Sequence, residues 1–356
     1  SGNNNNLAQQ LGNAYSLIQR STLYSGSKPI DMIDYVCDLM SGLILPHNTE
    51  PSWLTNDGTL LLAMSQIQNR NQLAAGGFIY WDVCIPVPHA CLNSERDFPL
   101  YLLSDSNPLS LEVDLTPFNR AINNLFSMTA ANRPIQEYTI TRCSLCYESI
   151  ALPREFIEAQ RLATKKTPFI LPQLSYMISQ MPISALVNYS ANLKLSSLRA
   201  AYILPYNDTV YNSTNTNGFA YQRHFGDVSI GSSVGDFSGS NIELLCDGEL
   251  INRVRLDNPT ATFIALKQAL NGSITNYTIP SIANTGTYRT CYFAIGINTT
   301  CFSDGSTVMG GTPVDQAQII LTNCITSATT GRYLANIIFA YDSLLIFKNG
   351  KVEVKR

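Results

Sequence analysis

Gly231-Ser-Ser-Val-Gly235 has the G-x-S-x-G spacing of a nucleophile elbow, with Ser233 at its centre. That chemistry needs a strand delivering the serine and a helix leaving it. Here Asp236-Phe-Ser-Gly-Ser240 follows, a turn-forming run, so a loop is the better reading. His224 and Asp227 lie near in sequence, but a hydrolase needs a histidine against the serine and an acid orienting it. His47, His89 and His224 therefore read as surface or hydrogen-bonded polar residues. Cys143 and Cys146 form a CxxC with no second pair or histidine pair at zinc spacing, so reduced, partly buried thiols are expected. No phosphate-cradling or dinucleotide glycine fingerprint occurs. Asp304-Gly305 reads as a turn, and no loop carries the closely spaced acids of a calcium site. Phe78, Tyr80 and Trp81, or Tyr202 and Tyr206, could stack sugars, but barrel cores and subunit interfaces use the same residues more often. No catalytic, cofactor-binding or metal-ligating residue is assigned.

The composition explains that poverty of chemistry. Only 14% of the 356 residues are charged while 45% are hydrophobic, against roughly 25% charged in ordinary soluble domains. Asn, Ser, Thr, Gly, Tyr and Phe fill the difference, as in a strand-rich chain with polar turns. A surface so poor in charge suits a subunit that buries much of it against neighbours. The net charge is −3 and no basic arm or stripe exists, so direct nucleic-acid binding is not expected. Lys165-Lys166 reads as a solvated helix end. No apolar run reaches membrane-spanning length, and Ser1-Gly2 followed by four Asn lacks signal-peptide features. Nine cysteines, an odd number, are scattered in a chain too long to need a disulfide framework. Six Asn-x-Ser/Thr sequons, including those at Asn207, Asn276 and Asn298, are no more than this composition produces by chance.

Residues 1–75 read as a partly helical N-terminal arm. Ile30 to Leu45 has helical spacing in Met32, Ile33, Val36, Leu39, Met40 and Leu43, and Thr59 to Leu73 is similar. Strands are expected from Gly76 onward. Candidates are Phe78 to Val87, the alternating Leu109 to Leu115, and Tyr138 to Leu152, which ends at Pro153. Pro153 to Lys166 reads as a helix, with proline first, acids early and lysines late. Strands resume near Phe169 and at Leu193 to Tyr206. Asp227 to Ile230 follows, then Ile242 to Leu256, broken by an Asp247-Gly248 hairpin signal. Thr260 to Leu270 reads as a helix, followed by strands at Tyr288 to Asn298, Gln316 to Thr322 and Leu334 to Phe347, with a last hairpin on Asn349-Gly350. Sixteen strands of about 6 residues with loops of about 10 need roughly 250 residues, which fits two eight-stranded jelly rolls. The division is 76–190 for the first and 191–356 for the second.

On these segments the chain resembles the double jelly-roll major capsid proteins of tailless icosahedral viruses, the adenovirus and tectivirus type of lineage. Asp97 to Leu103 with Pro108 to Leu115 is similar to an early strand pair of the first barrel, and Ser144 to Leu152 to its later part. Ile242 to Leu270 resembles the helix-bearing region of the second barrel, and Tyr333 to Val354 its closing strands. The length is like that of the coats of small membrane-containing bacteriophages. The resemblance implies an all-β coat protein, not an enzyme, with no cofactor. It implies a homotrimeric, pseudo-hexameric tile that meets neighbouring capsomers and penton or minor capsid proteins in an icosahedral shell. It further implies an internal membrane beneath many such shells, a virion location, and synthesis in the host cytoplasm. The alternative kept open is a carbohydrate- or receptor-binding β-sandwich of spike or adhesin type.

Overall fold

A computed structural model describes residues 9–11, 14–44, 47, 85–92, 97–117, 121–124, 139–183, 187–207, 241–256, 259–273, 293–300, 309–322 and 333–356. The central strands are β6 (Phe169–Ile183), β7 (Val187–Asn207) and β12 (Tyr333–Lys348). In β12 the run from Ala335 to Ser343 is buried at consecutive positions. Continuous burial marks a strand covered on both faces, where the alternation of a half-exposed strand disappears. β12 pairs antiparallel with β6 along its length and with β7 over Tyr333–Tyr341. β13 (Lys351–Lys355) takes up Leu344–Lys348 through the Asn349-Gly350 turn. Both turn residues have positive φ, 54° and 73°, the backbone a two-residue hairpin requires.

β8 (Asn241–Cys246) and β9 (Glu249–Arg255) join through Asp247-Gly248, again with both φ positive. β11 (Thr312–Thr322) lies between β7 and β8, completing the order β13-β12-β7-β11-β8-β9, while β10 (Ile295–Asn298) adds to β7. Helix α2 (Pro259–Ser273) covers β7 and β10, and Tyr202 Oη donates to Ala269 O at 3.0 Å. A Cβ on Gly296 would stand 2.8 Å from Leu266 Cα, so only glycine lets β10 approach this helix. Helix α1 (Arg154–Lys166) opens after Pro153, with Glu155 in its first turn and Lys165 and Lys166 in its last. The dipole pattern legible in the sequence is thus realised.

A second sheet is built from the N-terminal region. β2 (Ile18–Ser25) pairs with β3 (Lys28–Asp34) on one side and β4 (Leu109–Leu115) on the other. A short ladder joins β1 (Gln9–Leu11) to β5 (Ile122–Asn124). The β3-β2-β4 sheet meets the β6-β12-β13 region over Leu23, Ile30, Leu171, Leu345, Phe347 and Val352. Phe347 there packs edge-on against Phe98 and Phe169, with centroids 5.4 and 5.9 Å away. Each such buried ring contributes about 1.5–3 kcal/mol. A larger cluster runs from Tyr15 and Val36 through β7, β11, β12 and α2.

Three sequence expectations change. Asp97 to Leu103, likened to a strand of an early pair, forms no strand, and Leu100–Leu102 is a 3-10 turn. Ile30 to Leu45 is not one helix: residues 28–34 are β3, and coiling starts at Val36, with Asp38–Ile44 a π-helical segment. Ile30 and Ile33 fit the helical period, but the ladder to β2 makes the segment a strand that buries them in two different core clusters. Residues 139–152, expected as the strand Tyr138 to Leu152, form no strand, and Thr139 to Ala151 are all exposed. The β-forming pattern is present, but no edge among the described residues pairs with it. Leu109–Leu115, both later hairpins and both helices stand as expected. Thr59 to Leu73, Phe78 to Cys84, Asp227 to Ile230 and most of Tyr288 to Ala294 lie outside the described residues.

Candidate functional site

The densest polar chemistry among the described residues sits where the two sheets face each other. β3 brings Asp31 inward, β2 brings Ser21, and the segment before the 3-10 turn Ala90–Leu92 brings His89. His89 Nδ1 lies 2.7 Å from Asp31 Oδ2, and His89 Nε2 lies 2.9 Å from Ser21 Oγ. With Nδ1–H donating to the carboxylate, a neutral ring leaves Nε2 to accept from the serine hydroxyl. These are the contacts of a serine–histidine–aspartate nucleophile site. Position decides otherwise. Ser21 and His89 are 0% exposed and Asp31 3%, so no substrate can reach the hydroxyl.

The network instead fastens sheet to sheet. Ser175 Oγ on β6 donates to Asp31 Oδ1 at 3.0 Å. Having one proton, Ser175 then accepts from Gln173 Nε2 at 3.2 Å and from Ser343 on β12 at 2.9 Å. A second buried knot holds the long strands in register. Arg199 Nε on β7 donates to both carboxylate oxygens of Asp342 on β12, at 2.9 and 2.8 Å. Ser197 Oγ donates to Asp342 Oδ2 at 2.5 Å and accepts from Gly311 N at 2.8 Å. A Cβ on Gly311 would sit 2.3 Å from Leu198 O, so glycine is required there.

Ser233, His224, Asp227 and Asp304 lie outside the described residues. Cys143 and Cys146 are exposed free thiols in the segment 139–152, whereas Cys37, Cys91 and Cys246 are buried. Burial pushes the Cys246 thiol up to about 11 and Cys91 higher still, which leaves them poor nucleophiles. Tyr202 and Tyr206 are core residues, unable to stack on a sugar. Both His47 and His89 are buried, so His89 is the hydrogen-bonded polar residue expected, but deeper than a surface reading implied. Sequence inspection missed the Ser21–His89–Asp31 contact because 68 residues separate the serine from the histidine. The one local hint was an aspartate between Ile30 and Met32 in a strand.

In a shallow depression lined by Lys194, Ser196, Asp247, Pro313 and Asp315, the Asp247 carboxylate is taken up in accepting from Asp315 N and Gln316 N. On α2, Lys267 Nζ donates to His47 O at 2.7 Å and lies 5.2 Å over the Phe263 ring. Its partial burial pushes its pKa down to about 8. No helix among the described residues is long and apolar enough to cross a membrane. What is exposed is apolar side chain: Val113 and Leu115 on β4, Phe156 and Leu162 on α1, and Leu145, Tyr147 and Ile150 between them.

The sequence matches no protein-family profile and no curated protein. The three-dimensional comparison is different. A quasi-atomic structure of the PBCV-1 virus capsid superposes with a TM-score of 0.57 at 11% identity, covering 99% of this chain and 87% of that one. The PBCV-1 VP54 structure, fitted into a reconstruction of the virophage Sputnik, gives 0.55 at 11% identity over 99% and 86%. At that identity the likeness speaks for the fold alone, and nearly the whole chain takes part. With its large antiparallel sheets and inserted helices, the chain has the fold of the double jelly-roll capsid proteins.

Proposed function

We propose that this chain is a structural coat subunit that works by packing against copies of itself. The observation carrying this reading is the likeness to a capsid fold over 99% of the chain. The 14% charge content and the exposed apolar side chains on β4, α1 and residues 139–152 agree with it. The finer assignments follow from the same reading: a homotrimeric tile, contacts with neighbouring capsomers and penton or minor capsid proteins, and a membrane beneath the shell. Residence in the virion and synthesis in the host cytoplasm belong to it too. A coat with net charge −3 leaves genome neutralisation to other components.

Catalysis has no part in this proposal. The described triad-like contact is sealed, and its hydrogen bonds are used in joining the sheets. The glycan- or receptor-binding alternative loses its described aromatic pair, Tyr202 and Tyr206, to the core. Light scattering after size-exclusion tests the reading: a stable oligomer of the 39.2 kDa chain that assembles further is expected. A monomer that binds glycans would overturn it.

A further inference from the structure

Residues 139–152 and strand β4 each present half of a strand pair. From Thr139 to Ala151 every side chain is exposed, including Leu145, Tyr147 and Ile150 at 60%, 76% and 71%. The sequence Thr-Ile-Thr-Arg-Cys-Ser-Leu-Cys-Tyr-Glu is β-forming, yet among the described residues it has no partner strand. Its downstream end is fixed. Pro153 leads into α1, which is tied to residues 101–103 by Arg161 Nε donating to Tyr101 O at 2.8 Å and by the Tyr101–Phe156 ring contact. Among the described residues β4 is paired only on its β2 side. Its Leu109 and Leu111 pack on the core between the sheets, but Val113 and Leu115, on the same face, are 40% and 47% exposed. An open, alternating edge is a template for another chain.

We propose that residues 141–147 of one copy add as an antiparallel strand to the β4 edge of a second copy. The pairing deepens the self-association proposed above and rests on it. Charge and pattern choose the register. Placing Arg142 opposite Asp114 sets Cys143 against Val113, Leu145 against Leu111 and Tyr147 against Leu109, so that apolar residues share one face. The other face then carries Arg142 with Asp114, Ser144 with Glu112, and Cys146 with Ser110, and Glu148 stays clear of both β4 acids. Asp114 already faces Arg20 at 3.7 Å, and Glu112 is exposed, so a further cation beside them is favourable. The other long edges suit the segment less. β6 holds Pro172 and Pro182, β3 holds Pro29, β13 carries Lys351 and Lys355, and β9 presents Arg253 and Arg255. Reciprocal exchange brings a donor segment and an acceptor edge from each copy into contact. Seven donor and seven acceptor residues make about 14 a side, the centre of an interface that flanking residues must extend to reach the 20–30 or so of a standard one.

Cys143 and Cys146 are exposed free thiols, which supplies the test. The full-length chain carrying Val113→Cys is oxidised mildly and run without reductant, with Ser110→Cys as a second, independent pairing to Cys146. The expected result is covalent species at multiples of 39.2 kDa, lost when Cys143→Ser or Cys146→Ser respectively is added. Leu145→Asp with Tyr147→Asp alters only exposed positions and is expected to raise the half-association concentration about tenfold or more, a shift of about 1.4 kcal/mol. An oligomer in which neither variant cross-links would overturn the exchange and leave the coat reading standing. Disulfides confined to single chains would overturn the exchange as well. A chain monomeric at all concentrations would overturn both.

Discussion

At the scale of single residues, the buried histidine has the sharpest consequences. His89 and Ser175 each take one oxygen of the buried Asp31 carboxylate, so losing either leaves a carboxylate oxygen short of a partner. Removing one member of a buried ion-pair-like contact strands the other in a low dielectric, at about 3–5 kcal/mol. His89→Ala is therefore expected to lower unfolding free energy by that amount in urea titrations. Asp31→Asn, which keeps hydrogen-bonding atoms in place, is expected to cost less. A His89→Ala loss below about 1 kcal/mol would show that the network is not holding the sheets. Because Ser21 is fully buried, a fluorophosphonate probe is expected to leave the native chain unlabelled. Ser233→Ala, which tests the G-x-S-x-G spacing, is expected to change neither stability nor assembly. Any hydrolytic activity lost on that substitution, with the fold intact, would reopen the elbow reading.

Two elements carry features that favour something other than maximal stability. On α2, Lys267 has a pKa of about 8 against an ordinary value of 10.5, because burial penalises its charged form. Between those values the unfolded chain binds more protons than the folded one, so this residue makes stability rise with pH across that window. Cys246 and Tyr341 act oppositely. Burial raises them, and the stability they contribute is lost as pH climbs past their ordinary values. The contribution of Lys267 is therefore isolated by comparison with Lys267→Met. The variant is expected to be the more stable at pH 7, with the advantage shrinking toward pH 10.5, as read from denaturation midpoints. On β12, both side-chain polar atoms of Asn336 are buried and unpaired. Asn336→Leu removes them at similar volume and is expected to stabilise the fold by about 1–3 kcal/mol. A calorimetric melting temperature unchanged or lowered would contradict this.

For the whole molecule, the question is what covers the apolar surface that the single chain leaves in water. Leu100, Val113, Leu115, Leu145, Tyr147, Ile150, Phe156 and Leu162 are all exposed, and monomers rarely tolerate apolar patches beyond a few hundred Å². Self-association is the economical answer for a chain with 14% charged residues. Each contact pair in the assembled oligomer is expected to bury well over the roughly 1,600 Å² of a standard interface. An oligomer structure with contacts below about 1,000 Å² would argue that the subunits merely touch.

What the sequence determined alone is what short-range sterics encode. Asp247-Gly248 and Asn349-Gly350 specify hairpins because few residues accept two successive positive φ angles. The alternation of Leu109 to Leu115 specifies a half-covered strand, and Pro153 with late lysines specifies α1. Those signals were enough to place most described elements and to suggest the fold class. Only the tertiary structure decided the rest. Asp31 reads as an ordinary polar residue until Ser175, 144 positions away, and His89 close around it. The helical period of Ile30 to Leu45 yields to a strand because β2 offers a ladder, whereas 139–152 has a strand's pattern and no ladder to join. Pairing and burial are properties of the partner as much as of the segment, and a partner distant in sequence leaves no mark on the local pattern.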